Sequence, residues 1–466
     1  MTGPGESRKT SNAISSAGRT SSGASMTTSA RSNARLRPVI PPECSLLVAL
    51  KFPDPSRASW GPPDCVSQPT ARLPRRAVVR RMTEWIVPLA APRLRDRELQ
   101  ALLDGYRSGW WTMGPRTERL EAEMRDYTGA AEAVAVSSCT AALHLACLGA
   151  GIGPGDSVVV PSMTFAATVN VVASTGARPV FAEIVSVTEP WLDPVAVEAE
   201  LNRGATAVIS VAYGGHPGEV AELVRVCKRH GATLIEDVAH AAGSWHRGRH
   251  LGTLGRFGAL SFSASKNLGI GEGGMLLSDD PVLAGAARRS RWQGITASTA
   301  DRHDQPLSSY DVAAPGLNYR FDDPRAAAVS ARLGRLDRDN EDRARIAGAY
   351  RDALAGDGRM EPTAAPPPGD RNSHCMFTAV VADGIDRDHV RVALAERGVQ
   401  TSLHFPPLHL STAYQAGPPR LLPMSEEYAR RSITLPLFPE MEESQLALVL
   451  DSLPGAMDLA ERRRPA

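Results

Sequence analysis

The sequence of 466 residues has no hydrophobic run near the roughly 18 residues that a membrane span requires. Its formal net charge is only +1, so it has no overall field of one sign to attract nucleic acid or an anionic membrane. Its six cysteines form no C-x-x-C pair and show no metal-ligand spacing, which predicts free thiols in a reducing cytosol and no metal site. We therefore expect a cytoplasmic protein that has neither nucleic acid nor membrane as a partner.

The first 81 residues lack the composition of a packed domain. They are rich in Ser, Thr, Gly, Pro and Arg, show no sustained periodicity, and contain as acids only Glu6, Glu43, Asp54 and Asp64. This composition predicts a disordered N-terminal extension at 1–81. Three other interpretations stay open: a transit peptide, a docking patch of paired arginines, and a true translation start at Met82.

From residue 82 onward, apolar strand patterns alternate with helical ones, as in βαβ units. The alternation predicts an α/β protein. Its large domain, 82–345, would contain a mostly parallel, doubly wound sheet, and a smaller α/β domain would follow at 346–466. One long helix, from Pro324 to Gly356, is expected to connect the two domains.

The most informative stretch is Gly258-Ala-Leu-Ser-Phe-Ser-Ala-Ser-Lys266-Asn-Leu-Gly269, followed by Gly271-Glu-Gly-Gly274. A lysine that follows a short strand and has glycines around it lies where backbone can approach a ligand closely. In an apolar or cationic pocket a lysine loses its proton and forms Schiff bases with carbonyl compounds. Lowering its pKa from roughly 10 to about 7 costs about 4 to 5 kcal/mol. Taken alone, Lys266 is therefore better explained as a surface lysine.

A second pattern upstream changes that interpretation. The stretch Ala232-Thr-Leu-Ile-Glu-Asp237-Val-Ala-His240 is an apolar strand that runs into a carboxylate. This is the geometry expected at the carboxyl edge of a parallel sheet, where α/β proteins bind ligands. Pyridoxal phosphate requires a lysine for its aldehyde, an acid for its ring nitrogen and anion-binding groups for its phosphate. Lys266 and Asp237 supply the first two.

The motifs Ile235-Glu-Asp-Val-Ala-His-Ala241 and Leu260-Ser-Phe-Ser-Ala-Ser-Lys-Asn-Leu-Gly269 resemble those of the sugar aminotransferases of the DegT/DnrJ/StrS type. These are pyridoxal phosphate enzymes with the fold type I of aspartate aminotransferase, and the resemblance extends from Ile86 to about Val449. It implies that Lys266 carries the cofactor and transfers a proton, and that Asp237 keeps the ring nitrogen protonated. It further implies that His240 donates to the phenolic oxygen of the cofactor.

The resemblance also implies which residues hold the phosphate. A run of hydroxyl residues opens an apolar helix after the strand at 133–136, and free N–H groups and the helix dipole make such a helix start suitable for an anion. Thr140 and the backbone of Ala141 match the family's phosphate ligands, and Ser261 matches a third. Cys139 stands where the family usually has glycine. Simple N-capping of this helix by Ser138 or Thr140 is the plainer interpretation, and both can hold together.

The remaining candidate residues come from the resemblance as well. Phe165 matches the aromatic residue that stacks on the pyridine ring, although a phenylalanine after a strand is more commonly a core residue. Thr112 and His404 match segments at the substrate entrance. Asn318 resembles the asparagine that reaches into the phosphate site of the neighbouring subunit, which implies a homodimer with shared active sites.

Taken together, the resemblance implies an aminotransferase that moves nitrogen from glutamate or glutamine to a keto sugar linked to a nucleotide, in amino-sugar or secondary-metabolite biosynthesis. A cyclitol or aminohydroxybenzoate-type aminotransferase is the alternative, because His240 and the glycine-rich stretch also resemble those branches. A sugar dehydratase is disfavoured, since that branch replaces the lysine with histidine. A catalytically silent, cofactor-binding regulator with the N-terminal tail as its interaction arm is the alternative from another class.

Overall fold

The structure is a computed structural model that describes residues 85–296, 310–415 and 420–462. The predictions for 1–81 and for a start at Met82 lie outside the described residues. The helices are α1 (Asp96–Arg107), α2 (Pro115–Thr128), α3 (Cys139–Gly149), α4 (Ala166–Ser174), α5 (Pro194–Asn202), α6 (Val220–His230), α7 (Pro281–Ser290), α8 (Asp323–Leu333), α9 (Leu336–Leu354), α10 (Arg387–Glu396), α11 (Pro423–Arg431) and α12 (Glu443–Arg462). Short 3-10 turns lie at Tyr213–Gly215, Leu408–Leu410 and Thr412–Tyr414.

The strands are β1 (Glu132–Val136), β2 (Ser157–Pro161), β3 (Arg178–Ala182), β4 (Ile184–Ser186), β5 (Glu189–Leu192), β6 (Ala207–Val211), β7 (Thr233–Asp237), β8 (Trp245–His246), β9 (Arg249–His250), β10 (Phe257–Ser261), β11 (Gly274–Ser278), β12 (Met360–Pro362), β13 (Phe377–Val381) and β14 (Ser432–Leu435). Seven of them form one sheet in the order β1-β11-β10-β7-β6-β2-β3. All neighbours pair in parallel except β11, which runs antiparallel to both β1 and β10. The carboxyl ends of the other six strands therefore meet at one edge, and the predicted α/β fold with a mostly parallel sheet is confirmed.

Helices cover both faces of this sheet, and successive residues of a strand go to opposite faces. Leu234 of β7 belongs to the core under α5 and α6, whereas Ile235 belongs to the core under α3 and α4. Asp237 is two residues after Ile235, so it shares the face of α3 and α4. Its neighbour Glu236 points to the other face. The register of β7 thus decides which of two adjacent acids reaches the carboxyl-edge site.

Glu236 is a structural carboxylate. It is buried and accepts backbone N–H groups from Gly252 at 2.9 Å, Leu254 at 2.8 Å and Gly255 at 2.6 Å. The buried carboxylate and the three buried N–H groups satisfy one another, because each replaces the hydrogen bonds that it would otherwise make with water. The carboxylate therefore fixes the loop that leads into β10.

We expect Glu236→Ala to lower the free energy of unfolding by about 3 to 5 kcal/mol, since three buried N–H groups lose their acceptor. Urea unfolding of the cofactor-free protein, followed by circular dichroism, measures the loss. Glu198→Ala is the control, because this carboxylate pairs with Arg229 and His230 in an exposed position, and it should unfold with the wild-type protein. Equal stability of the two variants would contradict the structural role of Glu236.

A second core lies in the C-terminal part of the chain. The antiparallel sheet β12-β13-β14 packs with the last turns of α9 and with α10 and α12. Val87 is fully buried in the same core and forms a β-bridge with Val399. The first described residues therefore pack with the C-terminal part, which the sequence did not indicate. The domain boundary at 345/346 stays a prediction.

The single long helix predicted from Pro324 to Gly356 is wrong in its middle. Helix α8 ends at Leu333 and α9 begins at Leu336. Arg335 stands at the break, and its guanidinium contacts Glu98 at 2.6 Å and Asp339 at 2.9 Å, both nearly inaccessible carboxylates. The helical pattern of the sequence continues across Gly334, where a glycine costs only about 1 kcal/mol. The break lies in the backbone of Arg335, which has a non-helical φ of −126° and ψ of 1°.

Candidate active site

A cavity of about 430 Å³ lies at the carboxyl edge of the large sheet. Small-molecule sites occupy roughly 300 to 1,000 Å³, so its size suits a cofactor with a small substrate. Seven of the ten predicted site residues line it: Thr140, Phe165, Asp237, His240, Ser261, Lys266 and His404. The other three, Thr112, Ala141 and Asn318, do not.

The strand ends bring these side chains together. Asp237 is the last residue of β7 and Ser261 the last of β10, and β7 and β10 are parallel neighbours. Lys266 follows in a tight turn, in which its N–H donates to the Ser263 carbonyl at 2.9 Å and its own carbonyl accepts from Gly269 N–H at 2.8 Å. An amine and a carboxylate that are 29 positions apart in the sequence thus share one cavity.

Asp237 is held on both of its oxygens. Thr168 donates its hydroxyl to Oδ2 at 2.8 Å, and Ala239 N–H donates to Oδ1 at 3.1 Å. Thr164 extends the chain through a 2.7 Å contact with the Thr168 hydroxyl. Burial raises the pKa of Asp237, while the Thr168 and Ala239 hydrogen bonds and the charge of Lys266 act in the opposite direction. A carboxylate that is fixed and poorly solvated in this way is suited to hold a proton on a bound heterocycle.

The histidines of the cavity are neutral near pH 7. Burial, the main cause, and the charge of Lys266 together hold the pKa of His240 well below its usual value and lower that of His404 to about 4. Gly214 N–H donates to His240 Nδ1 at 3.4 Å, so the proton of this imidazole is on Nε2. Among the described residues, Lys266 is the one cationic side chain that lines the cavity.

The N-terminus of α3 opens onto the cavity, but it is already capped. The Ser138 hydroxyl accepts the Ala141 N–H at 3.1 Å, which is the N-capping arrangement considered for this helix. A phosphate bound through Ala141 N–H would compete with that hydroxyl, whereas the Thr140 side chain is exposed and lines the cavity. The start of α3 passes close to β11. A glycine at position 274 of β11 leaves room for it, because a Cβ there would lie 2.5 Å from Cys139 N.

The aromatic ring of Phe165 is exposed to solvent. Phe165 immediately precedes α4. Its side chain lines the cavity and is 63% exposed. The nearest aromatic ring is that of Phe405, tilted, with its centroid 6.2 Å away. A core phenylalanine would be buried, so the structure favours a role in covering a bound flat molecule over the packing alternative.

Asn318 and Thr112 lie away from the cavity of their own chain. Asn318 is exposed, accepts from Arg320 Nε at 3.1 Å and forms a β-bridge with Trp292. Thr112 is half-buried, and its carbonyl accepts the Asp323 N–H at 3.1 Å. The predicted contacts of Asn318 with the cofactor of a neighbouring subunit and of Thr112 with a substrate therefore stay predictions.

Several residues of the site were not assigned a role from the sequence. The structure adds Thr164, Thr168, Glu272 and Phe405 to the cavity or to its acid. Thr168 could have been found, because it lies three residues after Phe165 on a helix that starts at the carboxyl edge, so that it faces the same side. Phe405 carried no such signal, since it reaches the cavity from a distant loop.

No described helix, within 85–296, 310–415 and 420–462, is both long enough and apolar enough to cross a membrane. In the same part of the chain, no three His, Cys, Asp or Glu side chains come together as a metal site. The four cysteines there, Cys139, Cys147, Cys227 and Cys375, are unpaired.

The residues present fit pyridoxal phosphate. One cavity contains an amine for its aldehyde, a buried carboxylate with two donors for its ring nitrogen, and a helix start with hydroxyls for its phosphate. An exposed phenyl ring is available for the ring face.

Comparison with known proteins agrees with this fit. The model of the DegT/DnrJ/EryC1/StrS aminotransferase family matches residues 92–454. The crystal structure of the aminotransferase TlmJ from Streptoalloteichus hindustanus is similar with a TM-score of 0.75 and 32% identity, over 80% of this chain and 99% of TlmJ. DesV from S. venezuelae is similar with a TM-score of 0.72 and 36% identity, over 79% of this chain and 98% of DesV.

A third similar structure bears on the cofactor. Spr1654 from Streptococcus pneumoniae, a candidate sugar aminotransferase solved in its pyridoxamine phosphate form, has a TM-score of 0.76 and 25% identity, over 80% of this chain and 99% of Spr1654. A pyridoxal phosphate form of the same protein is also similar. With the family match over most of its length, this chain belongs to the DegT/DnrJ/EryC1/StrS aminotransferase family and is an aminotransferase that depends on pyridoxal phosphate.

Proposed function

We propose that this enzyme moves an amino group from glutamate or glutamine to a keto sugar that is linked to a nucleotide. The observation that carries the proposal is the convergence of Lys266 and Asp237 on one cavity of cofactor size. The sugar is supported by family membership and by the similarity to Spr1654, a candidate sugar aminotransferase. The unpaired cysteines support a cytoplasmic location for this chemistry.

The side chains divide the work. When bound, pyridoxal phosphate supplies an aldehyde for the amine and a ring that takes up electron density. Lys266 Nζ removes the proton from the substrate carbon and returns it, as a general base and acid. The Asp237 carboxylate holds the proton on the ring nitrogen, and Phe165 covers the ring face. His240 would donate from Nε2 to the phenolic oxygen of the cofactor, because its Nδ1 accepts the Gly214 N–H.

His404 is the candidate substrate contact within the chain. Its Nδ1 lies 2.8 Å from the Thr434 hydroxyl, and it lines the cavity beside Lys266. With a pKa of about 4 it stays neutral near pH 7. A neutral imidazole with one free nitrogen suits a sugar hydroxyl better than a carboxylate. Thr112 does not line this cavity, and its contact with substrate stays a prediction.

We further propose a homodimer in which Asn318 completes the phosphate site of the partner. Asn318 is exposed, and its own chain offers it only Arg320 Nε as a side-chain partner among the described residues. Among the described residues, the cavity of a single chain has one cation, Lys266, and its helix start is partly occupied by Ser138. A dianionic phosphate requires several direct hydrogen bonds, so a donor from a second chain would be useful there.

Hybrid dimers test the shared site. Asn318→Ala should weaken cofactor binding about tenfold or more, as expected for one hydrogen bond to a charged group. A hybrid of one Asn318→Ala chain with one Lys266→Ala chain should regain one site of wild-type affinity, because that site takes its lysine from the first chain and its asparagine from the second. Cofactor titration by absorbance measures both affinities.

The control for this experiment is Asn202→Ala, an exposed asparagine at the end of α5. It should bind the cofactor as the wild-type protein does. If the hybrid binds no more tightly than Asn318→Ala alone, Asn318 acts in its own chain or not at all. Size-exclusion chromatography confirms that each variant is still a dimer.

The substrate class is tested by following one half-reaction at a time. L-Glutamate or L-glutamine should abolish the visible absorption band of the bound cofactor, and a nucleotide-linked keto sugar should restore it. Recovery with keto cyclitols, and not with keto sugars, would favour the cyclitol alternative. A bound cofactor whose band no amino acid changes would favour the silent regulator.

A further inference from the structure

The thiol of Cys139 lies against the acid of the active site. Cys139 is the first residue of α3 and lines the cavity. Its Sγ is 3.4 Å from the Ala259 carbonyl oxygen and 3.9 Å from Asp237 Oδ1. Thr168 holds the other carboxylate oxygen, Oδ2. Helix α3 and helix α4 therefore each place one side-chain donor beside Asp237.

This thiol carries its proton under ordinary conditions. Burial, with the negative charge of Asp237 as the second cause, raises its pKa well above the usual value, and the charge of Lys266 opposes this only in part. A protonated thiol is a weak donor and reaches farther than a hydroxyl. Ala259 O is the closer acceptor, but the carboxylate is the stronger one because it is charged.

The other groups that face Asp237 have different roles. Lys266 and Glu272 come from the loop after β10, and His240 comes from the turn after β7. Helix α4 brings the hydroxyl of Thr168, and the loop before α4 brings that of Thr164. Cys139 is thus the one titratable group that the described part of α3 places in hydrogen-bond reach of the acid.

We infer that Cys139 is a positioning residue, whose S–H donates to Asp237 Oδ1 and, together with Thr168, sets the orientation and the effective charge of this carboxylate toward the ring nitrogen of the cofactor. The inference rests on the proposed role of Asp237. A donor on Oδ1 withdraws part of the negative charge that Asp237 presents to the bound cofactor. Without it, the carboxylate is more negative and favours the protonated form of the cofactor more strongly.

Holoenzyme variants at position 139 test this. The pH titration of the visible band, across about pH 6 to 10, should shift upward by about 0.5 pH unit in Cys139→Ala. Cys139→Ser keeps a donor of shorter reach, so its titration should shift less than that of Cys139→Ala. Cys147→Ala is the matched control, because this cysteine lies on the same helix, is fully buried and does not line the cavity. It should not shift.

The outcomes separate this inference from the proposed function. A wild-type protein that develops no visible band with pyridoxal phosphate would remove the proposed function. A wild-type band with an unshifted Cys139→Ala titration would overturn the role of Cys139 alone, and equal shifts in Cys139→Ala and Cys147→Ala would do the same by indicating altered packing. An upward shift in Cys139→Ala that is larger than the shift in Cys139→Ser, with none in Cys147→Ala, supports the inference, provided that all three melt as folded proteins.

Discussion

Lys266→Ala should give a folded protein that develops no visible band with pyridoxal phosphate and transfers amino groups at least about ten-thousandfold more slowly. In the proposed mechanism, the change removes both the amine that attaches the cofactor and the base that moves the proton. Among the described residues no other cationic side chain lines the cavity, so none can substitute. Absorbance spectroscopy and a coupled assay of keto acid release measure the two effects.

The chain contains few lysines, which simplifies the assignment of the cofactor-binding residue. Its lysines are only Lys9, Lys51, Lys228 and Lys266. Lys228→Ala, in the exposed last turn of α6, is the control and should keep full activity. Borohydride reduction of the wild-type holoenzyme should attach the cofactor to the peptide of Lys266. A reduced cofactor on the Lys228 peptide, or an unchanged band in Lys266→Ala, would remove the assignment.

Asp237→Asn should keep the cofactor bound but slow transfer by about a hundredfold to ten-thousandfold. Asparagine has nearly the shape of aspartate, yet it has no charge with which to hold a proton on the ring nitrogen. Single-turnover reaction with L-glutamate isolates the affected step.

Glu236→Gln is the neighbouring control for Asp237→Asn, because this acid lies on the opposite face of the sheet. It should lose stability and keep the rate of the folded fraction. If Asp237→Asn reacts as fast as the wild-type protein, Asp237 is not the residue that keeps the ring nitrogen protonated.

The central part of the site could be predicted because it depends on local rules. A strand that ends in an acid and a strand followed by a glycine-flanked lysine both place their last residues at the carboxyl edge of a parallel sheet. Asp237 and Lys266 therefore line one cavity, as their patterns indicated. The α/β fold followed from the same alternation of strands and helices.

The errors and omissions have a different physical origin. At the break between α8 and α9, Arg335 meets Glu98 of α1, a contact between residues far apart in the sequence that no local helical pattern predicts. The sequence left open whether Ser138 or Thr140 caps α3, and the structure shows Ser138 accepting the Ala141 N–H, while the phosphate role of Ala141 stays a prediction. Phe405 and Ser265 line the same cavity, although they are 140 residues apart in the sequence. No local sequence pattern predicts that two such distant residues come together.

The place of β11 between β1 and β10 has a consequence for biosynthesis. β1, which leads into the start of α3 at the cavity, pairs in the described sheet only with β11, and β11 ends at Ser278. A nascent chain that has emerged only as far as β10 therefore has Asp237 and Ser261 in place on neighbouring strands but no partner for β1. We expect the half-made protein on the ribosome to leave the β1 edge open, and cofactor capture to wait until well over half of the polypeptide has been translated.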